Sequence, residues 1–447
     1  MARQGVHKAS GTTTEADNGA TAHPAGTTRT VSTTKERLLE TATEQFAARG
    51  FEKVSVRDLA AQLDMTTGAL YMHFRNKAEL LAEGLDRQIT RDLIHTGAGT
   101  DLPTYVLQNF AALSGRRGLR ALLVEAGVTA RTDPVLRDNL SESHGRRLES
   151  WLVAYRNWQD AGEAAADLDM ASVVTVLWSV ELGLGVLEAY EAVEVTDEDV
   201  TGQVALLLAA IQLTDPGSDG RGRASGRVVV DGSERPSQRG GWPDLSLGTG
   251  GPSPNELSPR AVETRSRLLA AATELFCRQG YAATSVRELA RAADVTTGSI
   301  YGNYANKQSV LTAVVELRIS EDLERIPDEV IGSSTPSQLV AFHLRDFERR
   351  RALRGLLLEG ASAARWDPEA RKRLREVQQE HLHMWAEAFR IWADVHDVDV
   401  PFDTLATVTV IWCAELGLGL LDAMGLPVPV ANDVAELFER MLVGCGL

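Results

Sequence analysis

The chain has 447 residues, 44% of them hydrophobic and 24% charged, too long for one compact core and ordinary for a soluble globular protein. Its formal net charge of −16 argues against a polyanion partner for the molecule taken as a whole. Three cysteines, Cys277, Cys413 and Cys445, make no disulfide framework and suit a reducing cytoplasm, the expected location.

Residues 1–32 are rich in Thr, Ala and Gly, lack the apolar segment of a secretory signal, and read as a disordered tail. From residue 33 the pattern turns helical. Leu38, Ala42 and Phe46 recur at i, i+4 and i+8, and Val56, Leu59, Ala60 and Leu63 at i, i+3, i+4 and i+7. Gly50 closes the first helix and Ser55 is placed to N-cap the second. The spacing predicts three helices at about 33–49, 55–62 and 66–73, the last two separated only by "LDMT". Two short helices joined by so short a turn, behind a longer packing helix, form a helix-turn-helix layout.

Thr66 is placed to N-cap the third helix, and Leu70 and Phe74 face the core. Thr67, Gly68 and Tyr71 then lie on another face. Gly68 lets the backbone approach a second surface closely, and helix N-terminal N–H groups with threonine hydroxyls suit phosphate oxygens. Further along, the apolar run "VVTVLWSVELGLGVL" from Val173 is short for a membrane span and carries Glu181 midway, so it reads as a buried helix.

The chain then repeats itself. Residues 35–81 laid on 265–311 share about 21 identities in 47 positions without a gap. Downstream the offset becomes 234, pairing Trp151 with Trp385, Trp158 with Trp392 and Trp178 with Trp412. Residues 215–259 fall outside the duplication and read as a flexible linker with an end-to-end distance of roughly 35–40 Å. The expected organisation is a tail (1–32), a helix-turn-helix domain (33–93), a helical domain (94–214), the linker (215–259), a second helix-turn-helix domain (260–322) and a second helical domain (323–447). The fold class is all-α, with the brief "RVVV" of the linker as the one strand-like stretch. The acidity is uneven: residues 35–91 hold nine basic against nine acidic side chains and 260–319 eight against five, so the remainder carries −19.

The run "TTGALYMHFRNKAELL", with "LLETATEQFAARGFEKVSVRDLA" before it, resembles the DNA-binding headpiece of the TetR family of bacterial repressors, and "TTGSIYGNYANK" repeats the pattern. The resemblance implies two tandem units, each a three-helix headpiece followed by a helical ligand-binding and dimerisation domain. It implies DNA contacts from Ser55, Arg57, Thr66, Thr67, Gly68, Ala69, Tyr71, His73 and Lys77. In the second copy they are Ser285, Arg287, Thr296, Thr297, Gly298, Ser299, Tyr301, Asn303 and Lys307. Gly302 replaces Met72, and at about 1 kcal/mol against Ala it softens the second recognition helix.

The helices at about 170–190 and 403–424 take the place of the family's dimer interface, where Gly183, Gly185, Gly417 and Gly419 permit close approach. The implied partners are a double-stranded DNA operator, a small-molecule effector of unknown identity, and the other repeat of the same chain as a pseudo-dimer, with further self-association left open. No membrane partner, cofactor, metal or catalytic set is expected. Glu181 and Glu415 read as interface carboxylates or as groups facing a ligand. Trp151, Tyr155 and Trp158, with Trp385, Phe389 and Trp392, read as core or as pocket walls. Arg120 with Glu125, and Arg354 with Glu359, either polarise a site or pair within a helix. His381 and His383, at i and i+2, point apart on a helix and make no metal pair.

Overall fold

The computed structural model describes residues 34–93, 101–212, 259–324, 350–397 and 402–444, with isolated positions 335, 338 and 400. The expected tail and most of the expected linker, including "RVVV" and Cys445, lie outside the described residues. Those residues are helical and contain no strand.

The first headpiece consists of α1 (Thr34–Arg49), α2 (Val56–Gln62), α3 (Thr67–Tyr71) and the start of α4 (Lys77–Asp92). Each boundary has a local cause. Gly50 ends α1 at φ +88°, a conformation costly for any residue with a Cβ. Ser55 caps α2 in a reciprocal box with Asp58, and Thr66 and Asn76 cap α3 and α4. Asp64 turns the chain between α2 and α3 at φ 53°, and Asp294 does the same in the second headpiece. Leu38, Phe46, Leu59, Leu70 and Phe74 fill the core beneath, each no more than 1% exposed.

The first body adds α5 (Leu102–Phe110), a 3₁₀ turn (Leu113–Arg116), α6 (Arg117–Ala130), α7 (Pro134–Asp160), α8 (Met170–Tyr190) and α9 (Asp197–Gln212). The second repeat runs through α10 (Pro259–Gln279), α11 (Val286–Ala292), α12 (Thr297–Asn303), α13 (Lys307–Leu323), α14 (Arg351–Ala364), α15 (Pro368–Val395), α16 (Thr404–Ala423) and α17 (Ala431–Gly444). Apart from position 338, the segment that matches α5 lies outside the described residues.

The repeats pack against each other through α8 and α16, with α9 beside α17. The two long helices cross at glycine. A Cβ on Gly183 would sit 1.8 Å from the Cys413 carbonyl oxygen, and one on Gly417 would sit 1.8 Å from that of Ser179. Gly185 and Gly419 do something else: they clear room for Arg120 and Arg354 of their own repeats, at 2.8 and 2.9 Å. Both long helices are apolar enough to cross a membrane, yet most of each is buried inside the protein. A helix apolar on every side belongs in such a core. Thr407 donates to Gln203 at 3.0 Å across the same seam.

Candidate nucleic-acid interface and ligand cavity

The two recognition helices, α3 and α12, stand at the surface. Thr67, Gly68, Thr297 and Gly298 are exposed, as are Ser55, Arg57, Ser285 and Arg287 at the starts of α2 and α11. Tyr71 and Tyr301 are 52% and 57% exposed, unusual for so large a ring. Thr66 accepts the Ala69 N–H at 3.1 Å, and Thr296 accepts that of Ser299 at 3.0 Å. The Thr66 hydroxyl proton has no acceptor among the described residues, whereas the Thr296 hydroxyl also lies 2.9 Å from that of Ser299. His73 is exposed, whereas Asn303 donates its side-chain N–H to Ser299 O at 2.7 Å. That bond helps carry α12 through Gly302 and two residues further than α3.

Lys77 and Lys307 are placed differently from the phosphate grip expected of them. Lys77 Nζ lies 4.1 Å from the centre of the Phe51 ring. Lys307 Nζ lies 4.2 Å from that of Tyr281 and donates to the carbonyls of Tyr281 and Thr284 at 2.7 and 2.8 Å. Burial lowers both ammonium groups from the ordinary lysine range. Each lysine folds over a ring in the turn after α1 or α10, and Lys307 also donates to carbonyls of that turn.

The charged pairs in the bodies are also rearranged. Arg120 does not pair with Glu125. It binds Glu188 of α8 and stands 3.5 Å from Glu181. Glu181 is held by Arg116 at 2.6 and 3.1 Å, and Glu415 by Arg350 at 3.0 Å and Arg354 at 3.4 Å. All of these groups but the half-buried Glu188 are buried, so each buried charge depends on its partner.

Glu125 and Glu359 lie where each headpiece meets the opposite repeat. Glu125 accepts the Phe51 N–H and pairs with Arg365 of the other repeat at 2.8 Å. Arg365 also donates to the Ala47 carbonyl at the end of α1. The matched set is Glu359 with Arg131 at 2.7 Å, Arg131 reaching the Cys277 carbonyl at 3.5 Å. Each headpiece thus rests on an arginine from the opposite repeat and a glutamate from its own. Burial raises both carboxyls above the ordinary glutamate range, with Arg365 and Arg131 opposing it. The matched "RTDP" and "RWDP" carry these arginines in the sequence, but their role was not legible there.

A cavity of about 560 Å³ lies in the first body between α5, α7 and α8. Trp151, Tyr155, Trp158 and Glu181 line it, as one of the open readings had them. Sequence reasoning missed Tyr105, Asn109 and Phe110 of α5 and Trp178 of α8. In the second body Trp385, Phe389 and Trp392 are buried among neighbouring rings: Phe389 lies 6.0 Å from Phe402, and Trp392 stacks on His396 at 4.8 Å. His381 and His383 indeed diverge, the first to Asp322 and the second to Glu194 of the other repeat.

A family model described as "Bacterial regulatory proteins, tetR family" matches this chain twice, at residues 38–83 and 268–314. The probable acrEF/envCD operon repressor of Escherichia coli K12 is 41% identical over 71 residues, 15% of this chain and 32% of that protein. The chain thus spans about a third of that relative's length. The HTH-type transcriptional regulator UidR of E. coli K12 is 27% identical over 169 residues, 37% of this chain and 85% of that protein. Among solved structures, Salmonella enterica GusR matches at 21% identity and a TM-score of 0.34, covering 40% of this chain and 94% of its own. Each repeat of the chain thus carries a domain that matches the tetR family of bacterial regulatory proteins.

Proposed function

We propose that the chain is a ligand-responsive transcriptional regulator, acting as a repressor, that reads a non-palindromic DNA operator with two non-identical headpieces. The carrying observation is the pair of exposed recognition helices, alike in Thr-Thr-Gly and Tyr and different at Ala69/Ser299, Met72/Gly302 and His73/Asn303. The shared residues suit backbone contacts and the differing ones suit base edges. The seam of α8, α9, α16 and α17 stands in for the dimer interface of a single-repeat regulator, so one polypeptide supplies both headpieces. The cross-repeat pairs Arg365–Glu125 and Arg131–Glu359 supply a route by which a shift in the bodies moves the headpieces. The reading places the chain in the cytoplasm and assigns it no catalysis; the matched relatives are transcriptional regulators.

Footprinting of the purified chain tests this directly. The expected result is two unlike half-sites, binding that falls steeply with salt, and loss of the gel shift in both Tyr71→Ala and Tyr301→Ala. A perfect palindrome protected by one chain would count against it. A second reading has a specific observation behind it. Ser299 and Asn303 are hydrogen-bonded within α12, which favours a protein that senses or scaffolds with its second headpiece silent. Under that reading Tyr301→Ala leaves the shift unchanged while Tyr71→Ala abolishes it.

A further inference from the structure

A second cavity, of about 410 Å³, opens between the repeats, beside the Glu125–Arg365 pair on which the first headpiece rests. Its cause lies in three positions where the halves differ. On the matched side, glycines let neighbouring side chains close in. A Cβ on Gly127 would collide with Leu420, one on Gly355 would sit 2.8 Å from Arg131, and one on Gly425 3.0 Å from Arg137. The first side carries Ala361, Ala121 and Glu191 at those positions, and all three line the cavity. Their side chains occupy the space that such neighbours would need, so this side stays open. Glu191 holds its place at φ 57°, where its match is glycine, against the cost of a left-handed backbone.

The charges around this cavity do not cancel. Arg117 and Arg120 of the first repeat share Glu188, and Arg371 and Arg375 of the second share Glu191. Arg365 has Glu125, and Arg116 has Glu181, which also lies near Arg120. Ion pairs followed outward from the lining residues thus reach six arginines and four glutamates among the described residues. One excess positive charge stands at Glu188 and one at Glu191, in a chain whose net charge is −16. Arg117 and Arg371 line the cavity with side chains 70% and 28% exposed, so a solute can reach both guanidinium groups. Such forks hold carboxylates through paired hydrogen bonds, and a carboxylate carries the single charge that each excess calls for. The remaining wall, with Ala121, Val124, Ala189, Val193 and Ala361, suits a hydrocarbon middle.

We infer that this cavity binds a small dicarboxylate, one end on Arg117 of the first repeat and the other on Arg371 of the second, with a short hydrocarbon chain between. Arg365 lines the same cavity, so the guest reaches the arginine that supports the first headpiece. This rests on the ligand-responsive reading above and names a site and a chemical class for the effector.

The test is calorimetric titration of the full chain with the unbranched dicarboxylates from succinate to suberate, at fixed ionic strength. One length is expected to bind best, the monocarboxylate of that length about tenfold more weakly, and its diamide not at all. Arg117→Gln and Arg371→Gln should each weaken binding about tenfold, with the unfolding transition retained. Arg351→Gln, which changes the match of Arg117 on the closed side, should leave binding unchanged. No binding by any member at millimolar concentration would overturn the inference. So would a diamide or sulfate that binds as tightly, binding unchanged in Arg117→Gln or Arg371→Gln, or an equal loss in Arg351→Gln. Should one cavity variant fail to fold, the other and the ligand series still decide. A parallel gel shift separates the two levels. A dicarboxylate that binds here without altering the DNA complex leaves the site standing and removes its regulatory role. A DNA complex that forms while no dicarboxylate binds overturns the site and leaves the regulatory reading standing.

Discussion

The seam between the repeats and the cavity inside the first repeat obey different rules. At the seam the halves are near mirror copies: Gly183 and Gly417 each touch the other helix's backbone, and Arg365–Glu125 repeats as Arg131–Glu359. Around the cavity the halves differ, with His144 against Gln378 and Gly162 against His396. The recognition helices differ too, at three of the positions that face outward. Contacts that hold the fold require both partners to keep their shape, because close packing tolerates little change. Positions that face a guest or a base edge are free of that constraint. The duplication therefore keeps its joinery and diverges where it meets other molecules.

The largest expected effect lies at the joinery. Helix propensity alone would make Gly183→Ala stabilising by about 1 kcal/mol. Contact with the Cys413 backbone reverses the sign, to a loss of about 3 kcal/mol from overpacking. Gly417→Ala should cost the same, and a thermal unfolding scan of the two variants compares them. A stabilised variant, or unequal losses, would break the symmetry claimed for the seam.

Next comes His144, a difference between the repeats with a pH signature. Burial, with Arg147 beside it, pushes the imidazole down from 6.5 to about 4, against a smaller opposing pull from Asp86. The folded value lies below the unfolded one, so this stability is fully present above pH 6.5 and is lost as pH falls toward 4. The loss is on the order of 3 kcal/mol across that window. Denaturant unfolding at pH 7 and pH 4.5 measures it, and His144→Gln should remove this part of the dependence. An unchanged pH profile in the variant would show that His144 is not the titrating group.

The smallest effect sharpens the comparison of the headpieces. Gly302 has nothing within 4 Å of an added Cβ, so Gly302→Ala should stabilise the second headpiece by about 0.5–1 kcal/mol. Amide hydrogen exchange in α12 reads this locally. A gain at Gly302 beside a loss at Gly183 would show that the sign of one substitution depends on packing and not on the helix.

Much of the headpiece was legible in the sequence because its causes are local. Gly50, Ser55 and Thr66 end and start helices by rules spanning three or four residues, and Leu70 and Phe74 share a face through the helical period. Lys77 and Lys307 escaped that reading. An exposed lysine at a helix start and one folded over Phe51 or Tyr281 have the same sequence, and only the placement of the turn after α1 or α10 separates them. Trp151, Tyr155 and Trp158 were visible as a stripe on one helix, but core and cavity wall share that stripe.

By itself the sequence determined the duplication, the helical period, the caps, and the two long apolar helices. Tertiary structure decided which charges meet and which donors stay open. Glu125 finds Phe51 74 residues away and Arg365 240 residues away, and the Trp178 N–H has no partner among the described residues while Trp412 donates its own to Gln378. Caps and periodicity depend on neighbours along one helix, whereas these pairings depend on how rigid helices are set against one another. A difference of one side chain there leaves the helix unchanged and alters what the protein can hold.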